Sequence, residues 1–179
     1  MLTAENALLL VIDFQERLMP SIHRYEELEH KTAAFIKGCR VLDLPVLTTQ
    51  QYTKGLGDTI PAIKEALGQF EPVEKISFSC YRTTEFKDEL YKFGNKNILV
   101  TGIEAHICVQ QTVLDLSENG YQVYLIADCV GSRSETDFLY AIKRMETAGA
   151  IVTTMESALF EMLVSADHPK RKEISSLVK

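Results

Sequence analysis

The sequence predicts an α/β protein whose sheet is mainly parallel. Apolar runs alternate along the chain with amphipathic helical patterns, which is typical of strands joined by crossover helices. The first of these runs, ALLLVID, stays apolar up to Asp13, as strands covered on both faces do. A length of 179 residues is enough for one domain with a substantial core. We therefore predict a single domain over 1–179.

The order of the elements follows from the periodicity and from turn residues. The runs with the length of strands are 7–13, 46–50, 72–79, 97–103, 121–129 and 150–155. Helical patterns cover 26–42, 61–70, 83–93, 108–120, 134–149 and 156–165. Pro45 precedes the second strand, Gly94 follows the third helix, and Asn119-Gly120 has the composition of a helix C-cap. The chain contains no repeat or linker.

The composition of the chain argues against several classes of function. With 19 basic and 25 acidic residues the net charge is −6, which argues against a general nucleic-acid or anionic-membrane surface. The run LLLVI at 8–12 is too short for a membrane span, and we expect neither a secretion signal nor a membrane partner. We expect a cytoplasmic protein without a disulfide framework, because its cysteines lack paired spacing: Cys39, Cys80, Cys108 and Cys129.

Three chemically reactive side chains lie at the ends of predicted strands. Asp13 closes the first strand, Lys75 lies in the third, and Cys108 follows the fourth at the start of a helix. Ligands of open α/β sheets bind beyond the carboxyl ends of the strands, near the switch in strand order. The three residues could therefore supply a base, an electrostatic partner and a nucleophile. The helix dipole and the ammonium group predict a lowered pKa for the Cys108 thiol.

Each of these residues also has an ordinary structural explanation. A lone cysteine is more often a small buried hydrophobe, an aspartate after a strand often caps a turn, and most lysines are solvated. The combination of three compatible groups at three strand ends favours a catalytic site. The other cysteines, outside such a strand-to-helix junction, are interpreted as structural. The sequence has no GxGxxG after the first strand and no GxxxxGK[ST], so dinucleotide and P-loop sites lose their main support.

The motifs around these residues resemble a known family. LLLVIDFQERL, EKISFS and LVTGIEAHICVQQTVLDL are similar to the Asp, Lys and Cys motifs of the isochorismatase-like cysteine hydrolase superfamily. Four further segments resemble the isochorismatase-domain-containing subgroup, which is related to the YcaC-type hydrolases. They are TTQQYTKGLGDTIPAI, IADCVGSRSETDFLYAIKRM, GAIVTTMESALFEML and DHPKRKEISSLVK. The resemblance covers nearly the whole chain.

This resemblance implies a Rossmann-like, three-layer α/β/α fold with a six-stranded, mainly parallel sheet. It implies that Asp13 is the general base, Lys75 the group that stabilises charge, and Cys108 the nucleophile. It also implies a non-proline cis peptide between Ile103 and Glu104. The backbone N–H groups of Glu104 and Cys108 would then form an oxyanion hole. A homo-oligomer is a further implication.

The chain departs from two branches of the superfamily. Nicotinamidases carry histidines and an aspartate around a metal, whereas the matching segment TTQQYTKGLGD has no histidine. We therefore expect no catalytic metal and no cofactor. True isochorismatases cleave a vinyl ether and lack the nucleophilic cysteine, which this chain keeps as Cys108. The thiol favours cleavage of an amide-like or imide-like C–N bond through a thioacyl intermediate.

Other residues near the predicted site carry less information. His106 precedes Cys108 by two positions, which places it on a different helical face and argues against a role as the base. Ser132–Ser134 follow the fifth strand and could reach the pocket or a subunit contact, although Ser134 also suits a helix N-cap. Four residues could line the substrate pocket, with core packing or loop hydrogen bonds as the alternative: Phe14, Gln51, Tyr52 and Phe78.

Three functions remain open at this point. The first is a metal-independent hydrolase acting on a small molecule, with no nucleic-acid partner. The second is a binding or scaffold protein that retains the fold without significant turnover. The third is a thiol redox sensor, which is weakened because no resolving cysteine is close to Cys108 in sequence.

Overall fold

The protein is described by a computed structural model that covers residues 2–94 and 97–179. Its strands form one six-stranded sheet in the order β3-β2-β1-β4-β5-β6, and every pair of neighbouring strands is parallel. The predicted α/β fold with a mainly parallel sheet is thus confirmed. The strands are β1 (Ala7–Ile12), β2 (Val46–Gln51), β3 (Val73–Lys75), β4 (Asn97–Ile103), β5 (Val123–Gly131) and β6 (Ile151–Thr153).

Helices connect these strands and cover both faces of the sheet. They are α1 (Tyr25–Val41), α2 (Thr53–Leu56), α3 (Pro61–Leu67), α4 (Thr84–Lys92), α5 (Gln110–Glu118), α6 (Glu135–Thr147), α7 (Met155–Leu163) and α8 (Arg171–Leu177). In the part of the chain that the structure describes, no helix is long and apolar enough to cross a membrane.

The alternation of side chains along β1 divides the core into two halves. Leu9 and Val11 pack on the face that carries α1, α3, α7 and α8, whereas Leu8 and Leu10 pack on the face that carries α4, α5 and α6. All six residues of β1 are buried, because the strand is central and covered on both sides. The result is the three-layer α/β/α arrangement that the sequence predicts.

Several predicted boundaries differ from the structure, and three of these differences lie beside the predicted site. The third strand ends at Lys75 rather than Ser79, because the chain bends there and directs the Ser77 and Phe78 carbonyls back at the Lys75 ammonium group. The fifth strand continues beyond Cys129 to Gly131, where it pairs with the end of β4 after a shift in register. The helix predicted from Cys108 is preceded by a wider, π-helical turn over Ala105–Val109.

The strand order places the carboxyl ends of β1, β3 and β4 at the same edge of the sheet. The chain runs outward from β1 through β2 to β3, and returns to the other side of β1 to form β4. This reversal between β1 and β4 is the switch point at which α/β proteins commonly bind ligands. Asp13 follows β1, and Cys108 lies in the turn after β4.

The close approach of β1 and β4 requires a glycine at position 102. Gly102 has φ of +150° and pairs with Ile12, and a Cβ atom there would lie 2.5 Å from the Ile12 Cβ and 2.7 Å from its carbonyl oxygen. Gly120 has φ of +83° but open space around it, so its replacement by alanine costs only the backbone strain of about 1–2 kcal/mol.

We expect Gly102→Ala to lower the free energy of unfolding by about 1–3 kcal/mol more than Gly120→Ala does, because the added methyl group overpacks the β1–β4 contact. Urea denaturation of the two variants measures this difference. Equal losses would show that the strands separate at no cost to accept the methyl group.

Candidate functional site

An ion pair between Asp13 and Lys75 forms the centre of the site, and both side chains are fully buried. The Lys75 Nζ atom donates to Asp13 Oδ2 at 2.6 Å, and the Thr49 hydroxyl donates to Oδ1 at 2.8 Å. Both carboxylate oxygens therefore accept a hydrogen bond, which offsets part of the cost of removing the charges from water. Asp13 has φ of +55°, a left-handed conformation that aspartate tolerates better than most residues.

The ammonium group of Lys75 is surrounded by acceptors from the protein. Beyond Asp13, it donates to Gln51 Oε1 at 2.7 Å, to the Phe78 carbonyl at 3.1 Å and to the Ser77 carbonyl at 3.3 Å. Burial disfavours its charge and is the largest single influence, but attraction to Asp13, the nearby Cys80 and Cys108, and the hydrogen bond to Asp13 together outweigh it and raise the pKa of Lys75 above its ordinary value. Lys75 is therefore a permanent positive charge at neutral pH.

Cys108 lies next to this ion pair, with 6% of its surface exposed. Burial raises the pKa of its thiol, and the negative charge of Asp13 raises it further, whereas the positive charge of Lys75 acts in the opposite direction without prevailing. The lowered thiol pKa expected from the sequence is thus wrong, because desolvation and the Asp13 carboxylate together outweigh the Lys75 ammonium. The resting residue is a neutral thiol beside a carboxylate.

A second layer of side chains holds these groups in place. The Thr112 hydroxyl donates to the Cys108 carbonyl at 2.7 Å and accepts from the Cys80 N–H at 2.9 Å. The Cys80 thiol contacts the Thr49 hydroxyl at 3.8 Å, and burial raises its pKa to about 11.

The sequence carried signals for two of these supports. Thr112 follows Cys108 by four positions, the spacing at which a helical threonine bonds back to a carbonyl. Thr49 is a polar residue near the end of β2, which pairs with β1 in register with Ile12. The roles of Cys80 and of the Ser77 and Phe78 carbonyls depend on how the chain bends after β3, which no motif encodes.

The turn between β4 and α5 shapes the backbone beside the thiol. The Ile103–Glu104 peptide is cis. The Glu104 carbonyl accepts from the Ile107 N–H at 3.0 Å and from the Val109 N–H at 3.3 Å. Cys108 lies between these two donors in sequence.

The four residues predicted to line a pocket differ in burial and in their contacts. Gln51 is half-buried, accepts from Lys75 and donates from Nε2 to the Ile76 carbonyl at 2.7 Å. Phe78 is 54% exposed, and Tyr52 is exposed while its N–H binds the Lys75 carbonyl. Phe14 packs in the hydrophobic core. Gln51 thus contacts the ion pair directly, and Phe14 lies away from the surface of this chain.

Two cavities lie beside segments that form or contact the Cys108 turn. One, of about 270 Å³, is lined by Ser132 and by charged residues of α1 that include Lys31. The other, of about 700 Å³, lies between α5 and α6 and is lined by His106 and Tyr140. Within residues 2–94 and 97–179, no group of three or more His, Cys, Asp or Glu side chains is arranged to hold a metal ion.

Ser134 has the structural role that its position after the fifth strand suggests. Its hydroxyl accepts from the Asp137 N–H at 3.3 Å and caps the N-terminus of α6. This confirms the expected N-cap. The two residues before it, Ser132 and Arg133, instead extend toward the Cys108 turn.

We expect Asp13→Asn to destabilise the fold by about 3–5 kcal/mol, because it leaves the buried Lys75 ammonium without its counter-charge. The double variant Asp13→Asn/Lys75→Met removes both charges and should lose less than the sum of the single variants. Urea denaturation measures these free energies of unfolding.

The matched control is Lys92→Ala, which breaks the solvent-exposed pair with Glu89 and should cost no more than about 1 kcal/mol. If Asp13→Asn is as mild as Lys92→Ala, the buried pair does not stabilise this edge of the sheet.

Comparison with known proteins relates this geometry to a family. The profile of the Isochorismatase domain matches residues 7–157. Isochorismatase domain-containing protein 2 of Danio rerio is 36% identical over 179 residues, spanning 99% of this chain and 89% of that protein. The structure of the MAR1 ribonuclease from Caenorhabditis elegans is 40% identical with a TM-score of 0.92, covering 99% of this chain and 91% of that one.

The YcaC gene product from Escherichia coli, an octameric hydrolase of unknown specificity, shares the fold at 21% identity. Its TM-score is 0.89, over 98% of this chain and 86% of that chain. The profile match and the relatives of similar length confirm the resemblance found in the motifs, and the chain belongs to the isochorismatase family.

Proposed function

We propose that this protein is a metal-independent cysteine hydrolase that cleaves an amide-like or imide-like C–N bond in a small molecule. The observation that carries the proposal is the meeting of a thiol, a carboxylate and an ammonium group at the switch point of the sheet. Cys108 is the nucleophile, Asp13 the base, and Lys75 the positive charge that pairs with Asp13 and orients it.

The neutral resting state of Cys108 decides how the first step proceeds. The Asp13 carboxylate takes the thiol proton as Sγ attacks the carbonyl carbon, so that a new C–S bond forms and the carbonyl oxygen becomes an oxyanion. The backbone N–H groups of Glu104 and Cys108 stabilise this oxyanion. Asp13 then returns its proton to the leaving nitrogen, the C–N bond breaks, and a thioester remains on Cys108.

Water completes the cycle. Asp13 takes a proton from a water molecule while the water oxygen attacks the thioester carbon. The C–S bond breaks when this second tetrahedral intermediate collapses. The proton passes from Asp13 to the sulfur, which restores the neutral thiol. Lys75 keeps its proton throughout, because its raised pKa and its four acceptors hold it as an ammonium ion.

We also propose that the protein acts as a homo-oligomer. Exposed apolar side chains beside the site and on α6 support this, since a partner could cover them. They include Ile76, Phe78, Leu139 and Tyr140. The octameric state of the Escherichia coli relative is consistent with such an assembly.

A ribonuclease is the second candidate, because a relative that is 40% identical carries that name. The net charge of −6 disfavours it, since nucleic-acid binding depends on neutralising phosphates with basic residues. A binding protein that retains the fold without turnover remains the alternative from another class. One comparison of variants separates the three.

Cys108→Ala should abolish amine release from a panel of small amides and imides, and Asp13→Asn should slow it by about 10²-fold or more, as expected when a general base is lost. Release is followed by mass spectrometry, and intact mass after acid quench should show the acyl group on Cys108. The matched control is Cys39→Ala, which removes another buried thiol and should retain activity.

The same variants are incubated with single-stranded RNA. Cleavage of RNA that depends on Cys108, with no amide turned over, would replace the small-molecule proposal by the ribonuclease. No turnover of either substrate class by the wild type would favour the binding protein.

The pH dependence of Cys108 alkylation by iodoacetamide is a separate prediction. Because the pKa of Cys108 is raised, the rate should increase with pH beyond about 8.5, the ordinary thiol pKa, without reaching a plateau there. Asp13→Asn removes a charge that raises this pKa and should shift the profile to lower pH. Lys75→Met removes a charge that lowers it and should shift the profile to higher pH.

The rate at Cys108 is read by peptide mass mapping, so that the other three cysteines serve as internal controls. Shifts of the two variants in the same direction would contradict the electrostatic arrangement described above.

A further inference from the structure

The Glu104 carboxylate is buried beside the catalytic turn although no step of the proposed reaction uses it. Its side chain is 4% exposed and is bound by Arg133 from two directions. Oε2 accepts from the Arg133 backbone N–H at 3.1 Å and from its Nε at 3.0 Å, and Oε1 accepts from an Nη atom at 2.5 Å. Burial opposes its ionisation, but these hydrogen bonds prevail and hold the pKa of Glu104 below its ordinary value.

A second link joins the same two segments. His106 Nδ1 lies 2.9 Å from the hydroxyl oxygen of Ser132, which is itself buried. The Ser132 carbonyl accepts from the His23 N–H at 3.0 Å and anchors the loop to the rest of the chain. The loop between β5 and α6 thus binds Glu104 and His106, on either side of Ala105, and fixes the turn at two points.

This turn carries both N–H groups assigned to the oxyanion hole. Glu104 begins it, and Cys108 lies within its π-helical part, Ala105–Val109. The Glu104 carbonyl accepts from the N–H groups of Ile107 and Val109, the residues on either side of Cys108, and so ties this part of the turn to Glu104. A shift of the Glu104 backbone would therefore move one donor directly and the other through the turn.

We propose that the Glu104–Arg133 ion pair is a positioning device for the oxyanion hole, with Arg133 acting through the Glu104 side chain rather than on the substrate. The inference rests on the proposed function, since it assigns a purpose to the backbone donors of that reaction. A bidentate guanidinium–carboxylate pair restrains both distance and orientation, which suits a group that must hold a backbone in place.

Two alkylating reagents separate the position of the donors from the reactivity of the thiol. Addition of the Cys108 thiolate to acrylamide forms a C–S bond and moves an electron pair onto the amide oxygen, before a proton from solvent saturates the neighbouring carbon. Iodoacetamide is attacked at carbon and loses iodide, so its carbonyl oxygen gains no charge. The ratio of the two rates at Cys108 therefore measures stabilisation of an oxyanion and cancels changes in thiol ionisation.

We expect Arg133→Gln to lower the acrylamide-to-iodoacetamide rate ratio by about tenfold or more, a fraction of the loss seen when an oxyanion donor is removed outright. Arg133→Lys keeps the positive charge but not the planar guanidinium that binds both carboxylate oxygens, so the ratio should be partly recovered. Glu104→Gln tests the pair from its other side and should lower the ratio as well. Peptide mass mapping supplies both rates.

Arg82→Gln is the matched control. Arg82 makes a comparable pair with Asp115 at 2.8 Å, with side-chain exposures of 64% for Arg82 and 58% for Arg133. Its ratio should stay within about twofold of the wild type, as for a surface substitution away from the site.

An unchanged ratio in both Arg133→Gln and Glu104→Gln would overturn the positioning role. A wild-type ratio no higher than that of free cysteine would overturn it too, since there would be no oxyanion hole to position. Alkylation requires no turnover, so its outcome is independent of the amide assay. Loss of the ratio in Arg133→Gln with no hydrolysis by the wild type would support the positioning role and count against the proposed reaction.

Discussion

The buried ion pair between Asp13 and Lys75 is the constraint that the rest of the site depends on. Two charges without solvent are tolerated only if every remaining hydrogen-bonding position is filled. The fold meets this demand with Thr49 on one side of the carboxylate, and with Gln51 and two backbone carbonyls around the ammonium. Satisfying Lys75 in this way requires the chain to bend immediately after β3, and the bend ends the strand early.

The sequence was sufficient to predict the fold because buried parallel strands and capped helices have strong local signals. The six strands and the order of helices follow from continuous apolar runs and helical periodicity. The expectation of a site near Asp13 and Cys108 follows from the rule that ligands bind at the carboxyl ends of the strands, near the switch in strand order. The boundaries that failed are those set by tertiary contacts. β5 reaches Gly131 because it follows the shifted end of β4, and Arg133, two residues further on, binds Glu104.

The electrostatics of the site could not be predicted in the same way. Sequence identifies a thiol, an amine and a carboxylate, but the sign of a pKa shift depends on burial and on which charge lies nearer. At Cys108, desolvation and Asp13 outweigh Lys75, which raises the pKa of the thiol. The exposed positions of Tyr52 and Phe78, and the core position of Phe14, likewise depend on packing that one-dimensional patterns do not contain.

In the proposed reaction, a nucleophile that rests as a neutral thiol changes what its surroundings must do. A preformed thiolate would need little guidance, since its charge alone makes it reactive. A thiol that loses its proton only during attack must have its base, its sulfur and the oxyanion donors in register at the same moment. The structure restrains Cys108 accordingly, through Thr112 at its carbonyl and through Glu104 and Arg133 at the start of its turn. In the proposed reaction, these backbone restraints take the place that a lowered thiol pKa holds in cysteine enzymes with a preformed thiolate. The polar side chains around this turn are therefore as much a part of the candidate site as the three groups at its centre.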